Sequence, residues 1–350
     1  MASAIEFKYI NVELYRHPGE REARARMEKI PGFAKALAML TDNSGNKAER
    51  QAEIASMARV GPGVYPVLND MWNDVQNLFG LSGVPVHIGW NCPQPWSLRG
   101  GNDSPGIVLD SGLLESLSEN EMLALLGTQA GSIRLGNATL LAAADFMRWF
   151  IDYYGIAGAP AMLPAWGIEN WRRQALFSAD RAAALSQGDP EGVSALLCRL
   201  AGAGGKVWGG ISKADDLRVQ GLEALSHQSD WSNSRMRRFA LAMNRQNNVA
   251  LIRRIDLLDW FSGGAPARIL SGEMTEPEGA KRDMGADASS GVVDPSLAYW
   301  GEFAGSGQEK EGADSSNRIN EFKEMAEKGL STFMKAGEAF WNTLMENNKK

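Results

Sequence analysis

Residues 113–137, which read LLESLSENEMLALLGTQAGSIRLGN, decide the fold of this chain. The stretch has an acidic start, an apolar run and then the pentad Thr128-Gln129-Ala130-Gly131-Ser132. This layout predicts a long helix. Asp110-Ser111, just upstream, are residue types that cap a helix start, so we expect the chain to enter the helical region there.

A β-rich region precedes this helix. Residues 84–90 form a short β-rich run, residues 96–99 are typical of an edge strand, and residues 106–109 of the strand that returns beside it. The intervening Gly100-Gly101-Asn102-Asp103 has the composition of a turn. We therefore expect a small antiparallel sheet with an edge hairpin.

Helical patterns dominate the rest of the front half, at residues 21–29, 33–40, 49–58 and 65–79. The predicted fold class is α+β, mostly α-helical, in one domain over residues 1–270. Residues 271–316 are rich in Gly, Ala, Ser, Asp and Glu, which is typical of a flexible linker.

Residues 317–350 predict a separate amphipathic helix. An apolar stripe recurs there at steps of three or four residues, and its members include Phe322, Phe333 and Phe340. Such a stripe has to be covered, by the chain's own domain, a second copy, another protein or a membrane surface. The polar face mixes Glu and Lys, whereas anionic membranes select basic faces, so a protein partner is favoured.

Composition narrows the function classes. The chain has 350 residues and a net charge of -6, which argues against a nucleic-acid surface. Two cysteines make no disulfide framework, and the first residues have no secretory signal pattern, so we expect a cytoplasmic protein. The most apolar region, residues 138–168, is interrupted by charged residues and prolines, which disfavours a membrane span.

Several short blocks, in order between about residues 20 and 263, resemble zinc metallopeptidases of the HtpX-like and CAAX-prenyl-protease-like family, metallopeptidase family 48, in its soluble bacterial branch. The blocks are IPGF at 30–33, ARVGP at 58–62, WSLRGG at 96–101, GIVLDSGLL at 106–114, NEM at 120–122, GSIR at 131–134, FSADRAA at 177–183, SHQ at 226–228 and RMR at 235–237. The resemblance implies a zincin-like fold, and the C-terminal linker and helix lie outside it.

The catalytic positions of that family are altered. In such enzymes an HExxH helix supplies two zinc-binding histidines and a glutamate base, and a second helix supplies a third ligand. The matching positions are Thr128, Gln129, Ser132 and Leu176. Hydroxyls are poor zinc ligands, an amide cannot accept the proton of a water, and leucine has no lone pair. The resemblance therefore predicts a peptidase fold without zinc, cofactor or peptidase chemistry.

Other family positions survive as remnants. Asp180 matches a carboxylate that steadies a ligand histidine, Arg181 follows it, and His227 matches a late histidine motif. Their alternative role is to hold helices together, which we favour. Glu121 and Glu169 are disfavoured as substitute metal ligands, because two carboxylates without a histidine make an unusual zinc site.

In the enzymes the edge hairpin pairs with extended substrate, so Ser97, Leu98, Arg99, Gly100 and Gly101 are candidate peptide contacts. They can equally form a blunted, covered edge. Cys92 and His87 are the residue types of a nucleophile pair, but their opposite strand parity disfavours that role.

We therefore predict a catalytically inactive, metallopeptidase-like scaffold, adaptor or regulatory subunit that binds another protein through the edge hairpin, the C-terminal helix or both. The alternatives are an enzyme with other chemistry in the same cleft, using Cys92, His227 or an unforeseen metal, and a structural subunit of a larger assembly. The sequence leaves the oligomeric state open.

Overall fold

The computed structural model describes residues 7–28, 37, 55–92, 95–145, 162–202, 217–223 and 250–275. Its helices are α1 (Pro18–Glu28), α2 (Pro66–Phe79), α3 (Ser111–Ser116), α4 (Glu119–Arg134), α5 (Met162–Gln187), α6 (Glu191–Leu200), α7 (Ala250–Ser262) and α8 (Ala265–Leu270). The strands are β1 (Ala58–Arg59), β2 (Val86–Gly89), β3 (Trp96–Arg99) and β4 (Gly106–Asp110). The molecule is thus α+β and mostly helical, as predicted.

Several predictions fall on other residues. His227, the linker beyond residue 275 and the C-terminal helix with Phe322, Phe333 and Phe340 lie outside the described residues.

The sheet is mixed, not antiparallel as the sequence suggested. Its strand order is β1-β2-β4-β3. The outer pairs β1–β2 and β3–β4 are antiparallel, whereas β2 and β4 run parallel with Val86 opposite Ile107. The predicted antiparallel hairpin of β3 and β4 is present, but β4 also pairs with the earlier strand β2. Ala58, placed at a helix end by its pattern, belongs to β1.

One face of the sheet forms part of the main hydrophobic core. Val86, Ile88, Leu98, Ile107 and Leu109 alternate along their strands and are all buried on this face. They pack with apolar residues of α2 and α4. Trp72 of α2 donates its indole N–H to the carbonyl oxygen of Val84 at 2.8 Å, which fixes α2 at the entry to β2.

The start of the central helix follows from its sequence. Asp110 accepts from the backbone N–H groups of Gly112 and Leu113 and so caps α3, as its position in the sequence predicted. One turn later Ser118 and Glu121 form a reciprocal capping box at the start of α4. The two caps end β4 and direct the chain into α4.

Helices α4 and α5 make the most extensive helix contact of the described chain, and small residues allow their close approach. A β-carbon on Gly131 would stand 2.6 Å from Cβ of Ala182, and one on Gly127 would stand 3.1 Å from Cβ of Ala183. These glycines therefore bring the backbones of the two helices together. Within the described ranges, no helix is long and apolar enough to cross a lipid bilayer.

Candidate functional site

The positions that match the HExxH pentad lie in the buried second half of α4. Thr128, Gln129 and Ser132 are each nearly excluded from solvent. Thr128 donates its hydroxyl to the carbonyl oxygen of Leu125 at 2.8 Å, and Ser132 donates to that of Thr128 at 2.9 Å. Both hydroxyls therefore hydrogen-bond back to their own helix, as Thr and Ser commonly do inside helices.

The side chain between them is also engaged. Gln129 donates its amide N–H to the Thr128 hydroxyl oxygen at 3.2 Å. Adjacent residues in a helix differ by about 100° in direction. Thr128 and Ser132 follow Gly127 and Gly131, so their side chains point about 100° around α4 from the face that contacts α5. The fourth position, Leu176, lies on α5, one turn before Asp180, and is half-buried.

This set of side chains does not fit a zinc ion. Zinc in proteins takes imidazole, thiolate or carboxylate ligands, and Thr128, Ser132 and Leu176 provide two neutral hydroxyls and a hydrocarbon. The Thr128 oxygen also accepts the amide N–H of Gln129, which uses a lone pair that a metal would need. In the part of the chain that the structure describes, no three His, Cys, Asp or Glu side chains are grouped closely enough to hold a metal ion.

Asp180 and Arg181 of α5 form ion pairs with α7. Arg253 of α7 binds Asp180 with Nε and Nη2, each 2.7 Å from a carboxylate oxygen. Arg181 binds Asp256 of α7 with Nη2 at 3.1 Å from Oδ2, and its guanidinium also lies 4.8 Å from the ring centre of Trp260. All four ionic groups are buried, so these pairs join α5 to α7 from inside the core.

His17 is a buried histidine that the structure brings to the same region. Its Nδ1 accepts from the backbone N–H of Gly19 at 3.1 Å, so we place the proton on Nε2, which lies 3.4 Å from Oδ1 of Asp256. Burial lowers the pKa of His17, although Asp256 opposes this shift. Burial also raises the pKa of Asp256, but the attraction of Arg181 and then of His17 is stronger. The pKa of Asp256 is therefore lowered to about 2.

Ser178 of α5 completes this buried cluster without forming a catalytic triad. Its hydroxyl donates to Glu20 and accepts the backbone N–H of His17 at 2.9 Å, so it makes no bond to the imidazole. Asn137 donates to the other oxygen of Glu20 at 2.8 Å. Burial raises the pKa of Glu20. A serine, a histidine and an aspartate thus lie together, but their hydrogen bonds are structural.

The other acidic candidates are engaged in ion pairs away from the pentad. Glu121, in the capping box, also accepts from Nε of Arg199 at 2.8 Å and so joins α4 to α6. Glu169 accepts from Nε of Arg172 at 3.0 Å on the same helix. These pairs join Glu121 to α6 and hold Glu169 within α5.

Cys92 lies on the same face of the sheet as His87, although their spacing in the sequence predicts opposite faces. A β-carbon on Gly89 would stand 2.6 Å from Sγ of Cys92, so the thiol covers the face that also carries His87. The left-handed backbone of Asn91, with φ of 54°, turns the chain back and overrides the strand parity. Burial, with the charge of Arg59, lowers the pKa of His87, which favours a neutral imidazole. Cys198 is buried in α6, and burial raises the pKa of its thiol.

The predicted edge hairpin is an edge in topology but is largely covered. The backbone N–H of Asp110 donates to the carbonyl oxygen of Pro95 at 2.9 Å. Hydrogen-bonded and non-bonded pairs alternate along an antiparallel pair of strands, so Leu98, opposite Ile107, is a non-bonded residue. Its N–H and C=O therefore point away from β4. Leu98 is nonetheless only 3% exposed, Ser97 and Gly100 are buried, and Arg99 is half-buried. After Gly101, Asn102 and Thr139 exchange two hydrogen bonds that hold the loop against a helical segment at 138–145.

Sequence reasoning missed His17, Glu20, Asn137, Arg253 and Asp256. Each contacts a residue that is far away in the sequence, either more than a hundred positions away or on a helix that does not follow in the chain. Such contacts leave no local spacing pattern. One signal was present: charged residues in otherwise apolar helices, such as Arg253 and Asp256 in α7, require buried partners.

A comparison with curated proteins gives one relevant similarity. The plastoglobule-localized metallopeptidase 48, chloroplastic, of Arabidopsis thaliana is 22% identical to this chain over 232 residues, covering 65% of each protein. The match supports an origin in metallopeptidase family 48 and spans only about two thirds of that relative's length. No family model matches the chain, and no solved structure matches it.

Proposed function

We propose that this protein is a catalytically inactive relative of the family 48 metallopeptidases that acts as a protein-binding scaffold, adaptor or regulatory subunit. The metallopeptidase origin is supported by the Arabidopsis relative. The zincin-like fold, the soluble bacterial branch and the inactivity belong to the proposal. So does a cytoplasmic location, which is favoured because the two cysteines form no disulfide and which differs from the chloroplast location named for the relative.

The observation that carries the proposal is the hydrogen bonding of the pentad. Thr128 and Ser132 use their hydroxyl protons on backbone carbonyls of α4, and Gln129 points its amide at Thr128. A metallopeptidase needs three ligands that bind the cation and a base that accepts a proton from water. None of the four side chains at these positions meets either requirement.

The surviving ionic groups support a structural role for the rest of the old site. Asp180 and Arg181 are both paired with α7, so neither is free to steady a ligand or a substrate. Breaking such pairs is costly, which makes them suited to holding α5 and α7 in one arrangement. The region keeps the framework of an active site and uses it for stability.

The enzyme alternative has less support. A cysteine nucleophile requires a thiolate stabilised by a charged histidine or a similar group. The pKa of His87 is lowered, so it is neutral at pH 7 and gives the Cys92 thiolate no charge stabilisation. The buried Cys198 has a raised pKa. His227 lies outside the described residues.

The binding role rests on surfaces that need no catalytic groups. The apolar stripe of residues 317–350 predicts a docked helix, and sheet edges bind extended segments through backbone hydrogen bonds. We expect a protein partner and propose no nucleic-acid contact.

Activity is tested with the full chain on fluorescent casein and on a mixed peptide library, at pH 6 to 8, with added zinc. An active family 48 metallopeptidase serves as the assay control. We expect cleavage by the control and none above buffer by this protein. Cleavage that a chelator abolishes would overturn the proposed inactivity, and cleavage that a thiol-blocking reagent abolishes, and Cys92→Ser lacks, would establish the cysteine alternative.

A further inference from the structure

The edge of the sheet opposite the predicted hairpin is the exposed one. Strand β1 lies at the first position of the order β1-β2-β4-β3, and both of its residues, Ala58 and Arg59, are exposed. On the other edge, Ser97 and Leu98 of β3 are buried. Backbone groups available for an added strand are therefore found at β1.

The register of β1 against β2 shows which backbone N–H and C=O groups can bond to an added strand. Val60 donates to the carbonyl oxygen of Val86 at 2.9 Å, and Ala58 lies opposite Ile88. Hydrogen-bonded and non-bonded pairs alternate in an antiparallel ladder, so Arg59 is the non-bonded residue between them. Its N–H and C=O point away from β2, toward solvent. At the next such position, Gly61 exchanges two hydrogen bonds with Val64, which ends the open edge.

Large exposed apolar side chains flank this edge at both ends. At one end Val64, Tyr65 and Val67 follow the turn, and Val67 is 69% exposed. At the other end Trp90, just after β2, is 84% exposed. The span from Gly61 to the position beside Trp90 is about five strand residues, or roughly 17 Å.

Both apolar ends are fixed by unusual backbone conformations. Tyr65 and Asn91 are the described non-glycine residues with positive φ, at 59° and 54°. The turn after Trp90 is held by a hydrogen bond of 2.8 Å from the Cys92 N–H to Asp110. Strained residues of this kind persist where the structure positions a functional group, and tryptophan and tyrosine are common anchors in protein interfaces.

The positive charge of Arg59 indicates what kind of segment can pair with the β1 edge. Arg59 is exposed and lies opposite His87 on the same face of the sheet, where burial and then the charge of Arg59 lower the pKa of His87. A second copy pairing through β1 would place two Arg59 side chains close together, which is unfavourable. An acidic residue opposite Arg59 is favourable.

We propose that the β1 edge binds an extended segment of a partner protein, about six residues long, with an acidic residue opposite Arg59 and apolar residues near both ends. The segment adds a strand through the N–H and C=O of Arg59, and its apolar residues contact Val64 and Tyr65 at one end and Trp90 at the other. Because β1 is short, the apolar contacts supply most of the affinity. This inference rests on the proposed protein-binding function and assigns it a surface.

Fluorescence anisotropy with the full-length chain tests this surface. The probes are two labelled nine-residue peptides with phenylalanine and leucine near the ends and threonine and valine between, one with glutamate at the centre and one with lysine. We expect the glutamate peptide to bind about two- to fivefold more tightly, the range of a cross-strand charge pair. Arg59→Glu should reverse that preference.

Four variants separate the contributions of the backbone, the Trp90 anchor and nonspecific apolar binding. Arg59→Pro should weaken binding of the glutamate peptide beyond Arg59→Ala, because proline removes the outward N–H while leaving the bonds to β2 intact. Trp90→Ala should weaken both peptides, whereas Tyr9→Ala, an exposed aromatic at the far end of α2, should weaken neither.

Absence of binding by both peptides, an unchanged preference in Arg59→Glu, or equal losses in Tyr9→Ala and Trp90→Ala would overturn the proposal. Sedimentation showing a dimer that Arg59→Pro dissociates would do the same, since a second copy would then cover the edge. None of these results bears on peptidase activity, so this inference and the proposed inactivity fail separately.

Discussion

At the scale of single residues, the positions that match the HExxH pentad and the residues around them have different roles. Thr128 and Ser132 are satisfied within α4, whereas Asp180, Arg181 and His17 connect separate parts of the chain. The first group could be recognised in the sequence because residue identity alone decides whether a side chain binds zinc. The second group could not be paired in advance, because each partner is set by packing between distant helices.

The neutral, buried state of His17 predicts how stability depends on pH. Below about pH 6.5 the unfolded chain binds a proton at this histidine that the folded protein does not, because the folded pKa is lowered. The contribution of His17 to stability should therefore fall as pH decreases from 7 to 5. His17→Asn keeps an acceptor for the Gly19 N–H but does not titrate.

Urea unfolding at pH 7 and pH 5 measures this effect. The loss of stability should be smaller in His17→Asn than in the native protein, and it should not disappear, because the pKa of His87 is lowered too. An equal loss in both proteins would mean that His17 is not buried in its neutral form.

The Asp180–Arg253 pair predicts a double-mutant result. Arg253→Met leaves the Asp180 carboxylate buried without its partner and should cost about 3–5 kcal/mol of unfolding free energy. Adding Asp180→Leu removes that unpaired charge, so the double variant should recover most of the loss in chemical denaturation. A double variant that is less stable than Arg253→Met would show that the carboxylate has another essential partner.

At the scale of elements, the sequence predicted what local signals determine. The cap at Asp110, the strand at 96–99 and the helix from Pro66 to Phe79 follow from turn chemistry, β-rich composition and helical spacing. The parallel pairing of β2 with β4 was not predicted, because a hairpin to β3 satisfies the same local pattern. The two-residue strand β1 was missed because it is too short to show alternation.

The contact between α4 and α5 predicts an unusual response to alanine. In an exposed helix, Gly→Ala is stabilising by about 1 kcal/mol. At Gly131 the new β-carbon would stand 2.6 Å from Ala182, so Gly131→Ala should instead destabilise the protein by about 1–3 kcal/mol.

Thermal unfolding of Gly131→Ala and of the combined Gly131→Ala, Ala182→Gly variant measures this packing. The second substitution restores space at the contact and should return part of the lost stability. If Gly131→Ala is as stable as the native protein, the two backbones do not approach as closely as the structure has them.

At the scale of the whole molecule, we propose that a framework of metallopeptidase origin carries surfaces that bind a partner protein. The C-terminal helix can be tested in the full chain by the triple substitution Phe322→Glu, Phe333→Glu, Phe340→Glu. This change places charges on the predicted apolar stripe and should abolish co-purification of the protein's partners from its source cells.

A matched control adds the same three charges to the opposite face, as Asn320→Glu, Ser331→Glu, Asn342→Glu. Quantitative mass spectrometry of the captured proteins should show partners retained by the control and lost from the stripe variant. The same partners in both samples would remove the helix from the binding account.

The central claim is that the pentad and Leu176 cannot hold a catalytic metal. Its most direct test is the zinc content of the full chain after incubation with excess zinc and exhaustive dialysis, measured by inductively coupled plasma mass spectrometry. We predict far less than one zinc ion per chain, with no difference between the native protein and the Thr128→Val, Ser132→Ala variant. One zinc ion per native chain, absent from that variant, would contradict the account.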